Sequence, residues 1–251
     1  MIKYILTDIE GTTTPITFVH DVLFPYSYEH LSSYVHQHRG DPVVETCLAD
    51  TVETAKKEGK LLSSRDEAVA QLLAWIKEDR KHPALKTLQG LIWRAGYAKR
   101  SFQAQIYPDV KPALATWRDR GLKLGVYSSG SVEAQTLLFG HTPDGDLTPF
   151  FSHFFDTAVG GKRERHSYER ILQALNQSGS EVLFLSDVPE ELVAARAAGL
   201  ATVQIVRPVH SPHWGSATQK TSMRSILLSA DDGGQPATTF DPSTVSASDA
   251  D

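Results

Sequence analysis

The sequence predicts an α/β fold with a Rossmann-like core, in which a helical insert interrupts a largely parallel sheet. Short apolar runs alternate with helical patterns from residue 105 onwards, and this alternation is typical of parallel sheets. Another apolar run, residues 2–6, opens the chain, whereas residues 17–103 hold helical patterns and no convincing strand. We therefore expect the opening strand to join a sheet that the later part of the chain builds.

The opening strand leads directly into polar residues. Asp8, Glu10 and Gly11 follow the apolar run, and three threonines come next. Ligands bind at the carboxyl ends of strands in open α/β sheets, so Asp8 and Glu10 are predicted to be the reactive pair of an enzyme. In an extended chain the two carboxylates would share a face about 6.6 Å apart, and Gly11 would let the backbone turn.

Residues 15–104 are predicted to form a helical cap over this pair. Ser64 and Glu67 have the spacing of a capping box, and apolar residues then recur at helical intervals. Further amphipathic helices are expected after Pro25 and after Pro83.

The later part of the chain is expected to supply the remaining core elements. Asp109 can cap a helix that Gly121 ends, and Pro189 suits the first turn of a helix that Gly199 ends. Strands are expected at residues 122–127, 154–157, 182–185 and 201–206, and further helices at residues 132–139 and 167–177.

These patterns divide the chain into three parts. Residues 1–14 and 105–228 are expected to form the α/β catalytic core, and residues 15–104 the cap. Residues 229–251 are rich in small and polar residues, so they cannot bury enough apolar surface to offset the entropy of ordering. We predict that they form a disordered tail.

The composition excludes several classes of function. The chain of 251 residues has a net charge of −5, so no basic surface indicates nucleic-acid or anionic-membrane binding. Cys47 is the sole cysteine, which excludes an intrachain disulfide and Cys-rich zinc sites. No signal-peptide pattern or apolar run of membrane-spanning length stands out. We expect a soluble cytoplasmic protein that binds neither nucleic acid nor membrane, with a monomer as the default.

Polar residues follow four of the predicted strands or the turns after them, and parallel strands would bring them all to one edge of the sheet. Carboxylates, hydroxyls, a lysine and turn amides suit a phosphate ester bound with Mg²⁺, which takes few protein carboxylates and completes its shell with water and phosphate oxygens. The residues concerned are Asp8, Glu10, Ser128, Ser129, Lys162 and Asp187.

Each of these residue types has a chemical reason to lie in such a site. Asp8 is ionised at neutral pH and can attack without an activating base. Glu10 can protonate a leaving oxygen and later deprotonate water. Lys162 and Mg²⁺ would neutralise the phosphoryl oxygens. Taken singly, each residue also has an ordinary structural role; Asp187, for example, could cap a helix.

Other classes of protein stay open at this point. A glycosidase also uses two carboxylates, but it would leave Lys162, the serine turn and Asp187 without a role. A dehalogenase would use the same nucleophile with no metal or phosphate. A non-enzymatic binding protein on this fold would not need all four groups.

The polar blocks resemble those of the haloacid dehalogenase superfamily of aspartyl-nucleophile hydrolases. Most phosphatases of that superfamily have aspartate at the position that matches Glu10. A glutamate there resembles the signature of one member family, the acireductone synthases. These are the bifunctional enolase-phosphatases of methionine salvage. The matching blocks are ILTDIEGTTT (5–14), VYSSGS (126–131), GKRE (161–164) and FLSDVPEE (184–191).

The resemblance implies a role for each residue and one Mg²⁺ per subunit. Asp8 would be both nucleophile and metal ligand, and Asp187 a further metal ligand. Glu10 would offer its backbone carbonyl to the metal and its side chain as acid and base. The residues that would bind the substrate phosphate are Ser128, Ser129 and Lys162. Glu191 would support the metal indirectly, through groups that contact it.

The resemblance also implies the substrate. This is 2,3-diketo-5-methylthiopentyl-1-phosphate, which is enolised and then dephosphorylated to the acireductone 1,2-dihydroxy-3-keto-5-methylthiopentene. The resemblance does not decide which residue removes the proton in the enolisation; Glu10 and a residue of the cap are the two candidates. The alternative is a small-molecule phosphatase of the same superfamily without enolase activity. The resemblance to eukaryotic members of the family adds the nucleus to the expected locations.

Overall fold

The computed structural model describes residues 1–207 and Met223. Its centre is a sheet of five strands in the order β3-β2-β1-β4-β5, and all of its neighbouring strands are parallel. This arrangement confirms the predicted α/β class. The strands are β1 (Tyr4–Thr7), β2 (Lys123–Tyr127), β3 (His153–Phe155), β4 (Val182–Ser186) and β5 (Ala201–Gln204).

Strand β1 lies at the centre of the sheet because it is apolar on both faces. Ile5 packs into one hydrophobic cluster, and Tyr4 and Leu6 pack into another on the opposite face. A strand buried on both sides is expected to be a continuous apolar run, as it is here. The register sets Thr7 level with Val126 and Leu185, so the residues that follow each of the three strands emerge at one edge.

A set of helices lies between β1 and β2 in the chain, and four of them share a core of their own. Leu31, Leu48, Leu72 and Leu88 belong to this second hydrophobic cluster. No strand occurs among residues 16–98, as predicted. The helices are α1 (Ile16–Phe18), α2 (Phe24–Gln37), α3 (Pro42–Lys57), α4 (Arg65–Lys77) and α5 (Pro83–Ala98), with a π-helical turn at Val19–Leu23.

Helix α5 joins this helical set to the sheet. Leu88 packs into the helical core, whereas Trp93 and Tyr97 pack into the cluster on the sheet. The Trp93 indole N–H donates to the Leu23 carbonyl at 2.8 Å, which fixes the chain just before α2. One helix therefore contributes to two cores.

The helices that flank the sheet begin and end close to the predicted positions. Gly121 follows α6 with a φ of +79° and Gly199 follows α9 with a φ of +90°, as expected for residues that end helices. The flanking helices are α6 (Val110–Asp119), α7 (Val132–Gly140), α8 (Arg165–Leu175) and α9 (Pro189–Ala197).

Asp109 does not cap helix α6 as predicted. Its backbone is already helical, and its side chain makes no capping hydrogen bond. Both carboxylate oxygens instead accept from one nitrogen of the Arg207 guanidinium at 2.9 Å, and one also accepts from the Met223 N–H at 2.6 Å. A charge-assisted pair with a guanidinium is stronger than a neutral cap, which explains the difference.

The predicted disordered tail, residues 229–251, lies outside the described residues, as do residues 208–228 apart from Met223. Within the described part of the chain, no helix has the length and apolar character needed to cross a membrane.

The predicted capping box at the start of α4 is present. The Glu67 N–H donates to the Ser64 hydroxyl oxygen at 3.2 Å, and the Ser64 N–H donates to the Glu67 carboxylate at 3.2 Å. Ser64→Ala removes one half of the box and should lower the free energy of unfolding by about 1 kcal/mol. Urea denaturation measures the loss. Ser63→Ala keeps every backbone donor and should change stability far less; equal losses in both variants would contradict the role of the cap.

Candidate active site

The carboxyl ends of β1, β2 and β4 open onto a cavity of about 300 Å³. The cavity is lined on the sheet side by all six residues that the sequence singled out and on the other side by the helices. The six are Asp8, Glu10, Ser128, Ser129, Lys162 and Asp187, and residues from the helical side include Leu23, Phe24, Lys86 and Trp93.

Asp8 and Lys162 form a buried ion pair at the end of β1. The Lys162 ammonium donates to Asp8 Oδ1, and the Ile9 N–H donates to the same oxygen at 2.7 Å. Asp8 is 2% exposed and Lys162 7% exposed. Burial disfavours the charge on Lys162, but the carboxylates of Asp8 and Glu191 outweigh that effect and raise the pKa of Lys162. The lysine is therefore a permanent cation beside Asp8.

Glu191 is the second carboxylate that holds Lys162. Its Oε2 lies 2.8 Å from the ammonium and also accepts from the Ser186 hydroxyl at 2.8 Å. Burial and the nearby charge of Asp8 raise the pKa of Glu191 to about 7. Sequence reasoning gave Glu191 a supporting role at the metal, whereas in the structure it contacts the lysine. It missed Ser186, which has no signal other than its place at a strand end.

Gly11 lets the loop after β1 approach Asp187. Its φ is +78°, and a Cβ at this position would lie 2.2 Å from Asp187 Oδ2. The Thr12 hydroxyl donates to Asp187 Oδ1 at 3.0 Å and accepts from the Asp187 N–H at 3.0 Å. The loop after β1 and the end of β4 are thus bound together.

Arg207 fixes the same loop from outside the cavity. Its Nε and Nη2 donate to the Thr12 carbonyl at 2.9 and 2.7 Å, while Nη1 pairs with Asp109. No local pattern in the sequence marks Arg207, because its partners lie far away along the chain.

Glu10 is held by Ser128, the residue that directly follows β2. The Ser128 hydroxyl lies 3.2 and 3.1 Å from the two Glu10 carboxylate oxygens and accepts from the Gly130 N–H at 3.0 Å. Burial and the charge of Asp8 raise the pKa of Glu10. Strand β1 ends at Thr7, so Glu10 lies beyond the strand, where it forms an isolated β-bridge with Thr14.

Ser128 and Ser129 lie just before helix α7, whose first turn is capped by Ser131. Ser128 is buried, whereas Ser129 is exposed. Backbone amides at a helix start attract anions, so this loop can hold a phosphate.

Asp8 and Asp187 suit a divalent cation. Burial and then the charge of Asp8 raise the pKa of Asp187, so the two carboxylates are electrostatically unfavourable neighbours without a cation. No group of three or more His, Cys, Asp or Glu side chains in the described part of the chain is arranged to hold a metal. Two carboxylates plus backbone, water and phosphate oxygens match the hard, water-rich shell of Mg²⁺ rather than an all-protein cage.

The helical side of the cavity contributes cations that sequence reasoning missed, namely Arg80, Lys81 and Lys86. The Lys86 ammonium on α5 donates to the Ser129 carbonyl at 3.0 Å and to the Thr157 hydroxyl at 3.3 Å. Further along α5, Arg94 pairs with Glu133 of α7 at 2.5 Å. Helix α5 is thus bound to the loops that carry the serines.

A family model for haloacid dehalogenase-like hydrolases matches residues 2–199. The chain belongs to this family. Within it, the chain belongs with the enolase-phosphatases, because several curated relatives that match it are all named Enolase-phosphatase E1. The protein from Sorangium cellulosum is 49% identical over 230 residues, which are 92% of this chain and 96% of the relative. The protein from Marinobacter nauticus is 52% identical over 213 residues, 84% of this chain and 91% of the relative.

Two solved structures share the fold of this chain. The UTR4 protein of Saccharomyces cerevisiae superposes with a TM-score of 0.70 at 36% identity, covering 85% of this chain and 93% of that one. CbbY from Rhodobacter sphaeroides, solved in complex with phosphate, superposes with a TM-score of 0.51 at 17% identity over 82% of this chain and 87% of that one, and it shows the fold alone.

Gly11→Ala tests whether the close approach to Asp187 matters. The added methyl group would displace Asp187 or the loop, and a displacement of about 1 Å in an active site can lower the rate about 100-fold. Phosphate release measures the loss of rate, and Mg²⁺ titration by calorimetry measures any loss of metal affinity at Asp187.

Gly59→Ala is the matched control, because Gly59 has a φ of +82° and nothing lies within 4 Å of its added Cβ. It carries the same backbone strain without the clash. Equal activity in the two variants would contradict the requirement for close approach at Gly11.

Proposed function

We propose that the chain is a magnesium-dependent enolase-phosphatase, an acireductone synthase of methionine salvage. Its substrate would be 2,3-diketo-5-methylthiopentyl-1-phosphate, and its products the acireductone and phosphate. The observation that carries the proposal is the buried Asp8–Lys162 pair, which faces Asp187 and Glu10 in one cavity. Relatives about half identical over most of their length, all named Enolase-phosphatase E1, support the same activity.

Asp8 would act as the nucleophile. The Ile9 N–H and Lys162 hold its Oδ1, which fixes the rotation of the carboxylate. Attack on phosphorus forms an aspartyl phosphate and breaks the bond between phosphorus and the ester oxygen. Lys162 offsets the phosphoryl charge that would otherwise repel an anionic attacker.

Glu10 would move the protons of hydrolysis. It gives a proton to the leaving ester oxygen and then takes one from the water that attacks the aspartyl phosphate, which frees Asp8 and phosphate. Its raised pKa suits a group that must hold a proton in one step and accept one in the next. Ser128 orients it through its hydroxyl.

The substrate phosphate would be bound by Lys162 and by the loop of Ser128 and Ser129 at the start of α7. Mg²⁺ would be held by the side chains of Asp8 and Asp187 and by the Glu10 carbonyl. When bound, it would supply positive charge to the phosphoryl oxygens and to the oxygen of an enolate.

We propose residues 15–104 as the cap of the enzyme, with the core formed by residues 1–14 and 105–228. Helix α5 covers the cavity with Trp93 and Lys86. The cap would exclude water and close around the diketone. Since one chain supplies every proposed site residue, a monomer suffices for activity.

A phosphatase without enolase activity is the alternative that must be separated from this proposal, because the same fold hosts many activities. Both would release phosphate from simple esters. Only the enolase-phosphatase converts the diketo phosphate to an acireductone, whose ultraviolet absorbance distinguishes the two.

Assay of the diketo phosphate with and without Mg²⁺, in wild type and Asp8→Asn, tests the proposal. Wild type should need the metal and form acireductone, whereas Asp8→Asn should release phosphate only at the background rate, because an amide is not a nucleophile here. Asp144→Asn changes an exposed carboxylate on the surface and should keep full activity. Turnover by Asp8→Asn at the rate of Asp144→Asn would contradict the assignment.

A further inference from the structure

Lys86, the lysine of helix α5, lines the cavity together with Lys81, and no hydrolytic step uses it. It is half-buried and lies on the same face of α5 as Gln89 and Trp93, which also line the cavity. Its nitrogen donates to the Ser129 carbonyl at 3.0 Å and to the Thr157 hydroxyl at 3.3 Å. These contacts hold it against the loop that is proposed to bind phosphate.

These two hydrogen bonds leave one position on the nitrogen open. An amine nitrogen is tetrahedral, so Cε and two N–H groups occupy three of its four positions. In the neutral amine the fourth position is a lone pair. Lysine is the basic residue that becomes neutral readily when buried, which is why lysines serve as general bases.

The charged surroundings of Lys86 bear on that state. Burial lowers the pKa of Lys86, the carboxylate of Asp156 opposes the shift, and the ammonium of Lys81 adds to it. The net shift favours the neutral amine more than in a lysine exposed to water.

Enolisation of the proposed substrate places a strict demand on the base. The proton to be removed is on the carbon that carries the phosphate ester, next to the carbonyl. Its base must therefore lie next to the phosphate site. Lys86 meets this requirement, because it contacts Ser129 of the phosphate loop and comes from the helix that covers the cavity.

We propose that Lys86 is the catalytic base of the enolisation and that Glu10 is reserved for hydrolysis. This inference rests on the proposed enolase-phosphatase activity. Glu10 lies on the sheet side of the cavity, bound to Ser128, where it can reach the ester oxygen. The two proton transfers thus belong to opposite walls of one cavity.

The step balances without another reactant. The bond between hydrogen and the phosphate-bearing carbon breaks, and its electron pair forms the carbon–carbon double bond. The neighbouring carbonyl oxygen takes the negative charge as an enolate, and the proton moves to the Lys86 nitrogen. That proton then passes to the enolate oxygen, which gives the enol phosphate and restores the neutral amine.

Three variants test the assignment: Lys86→Gln, Lys86→Arg and, as a control, Lys99→Gln at the exposed end of the same helix. Acireductone formation from the diketo phosphate is compared with hydrolysis of p-nitrophenyl phosphate, which needs no enolisation. The ratio of the two rates should fall about 100-fold or more in Lys86→Gln, as for loss of a general base. It should fall equally in Lys86→Arg, because a guanidinium does not give up its proton.

A substrate deuterated on the phosphate-bearing carbon supplies a readout that a purely structural role would not change. In Lys86→Gln the deuterated substrate should react several-fold more slowly than the ordinary one, because carbon–hydrogen cleavage becomes rate-limiting. Wild type should also show a rise in rate with pH as the amine loses its proton, and Lys86→Gln should lack that rise.

The other outcomes overturn the assignment. Full enolisation by Lys86→Arg would show that only a positive charge is needed, and an unchanged ratio in Lys86→Gln would exclude the base. Equal loss of both reactions would make Lys86 a structural residue. If wild type hydrolyses the aryl phosphate but forms no acireductone, the proposed function itself fails.

Discussion

Asp8 and Lys162 lie side by side at the end of the central strand with almost no exposure to water, and the other parts of the site are arranged around this pair. Removing either partner would leave the other charge buried, which typically costs roughly 3–5 kcal/mol. Glu191 is the second carboxylate that pairs with the lysine, and the Ser186 hydroxyl donates to Glu191, so the ammonium is held from two sides. The site is therefore preorganised for an anion that arrives next to a carboxylate.

The position of this pair follows from the burial of β1, and access to it follows from α5. Because β1 is buried on both faces, the first charged residue after it, Asp8, emerges only at the sheet edge, close to the ends of β2 and β4. Helix α5 packs Leu88 into the helical core and Trp93 onto the sheet. The packing that stabilises the helical layer thus also brings Lys86 of α5 into contact with Ser129 of the phosphate loop.

The strand ends and the capping box could be predicted from the sequence because their signals are local. An apolar run followed by Asp8, or Ser64 followed by Glu67, is recognisable within a few residues. Arg207 could not be found in this way, since it binds the Thr12 carbonyl across 195 residues. Asp109 was assigned to a helix cap for the same reason, because its true partner is Arg207. Strand β1 ends at Thr7, so the structure places Glu10 after the strand.

The most direct test of the central claim is the stereochemical course at phosphorus. A thiophosphate ester of the substrate, made isotopically chiral at phosphorus, is hydrolysed in isotopically labelled water, and the configuration of the released thiophosphate is determined. Attack by Asp8 followed by attack of water comprises two inversions, so the account predicts net retention of configuration. Net inversion would mean that water attacks the ester directly, and it would contradict Asp8 as the nucleophile.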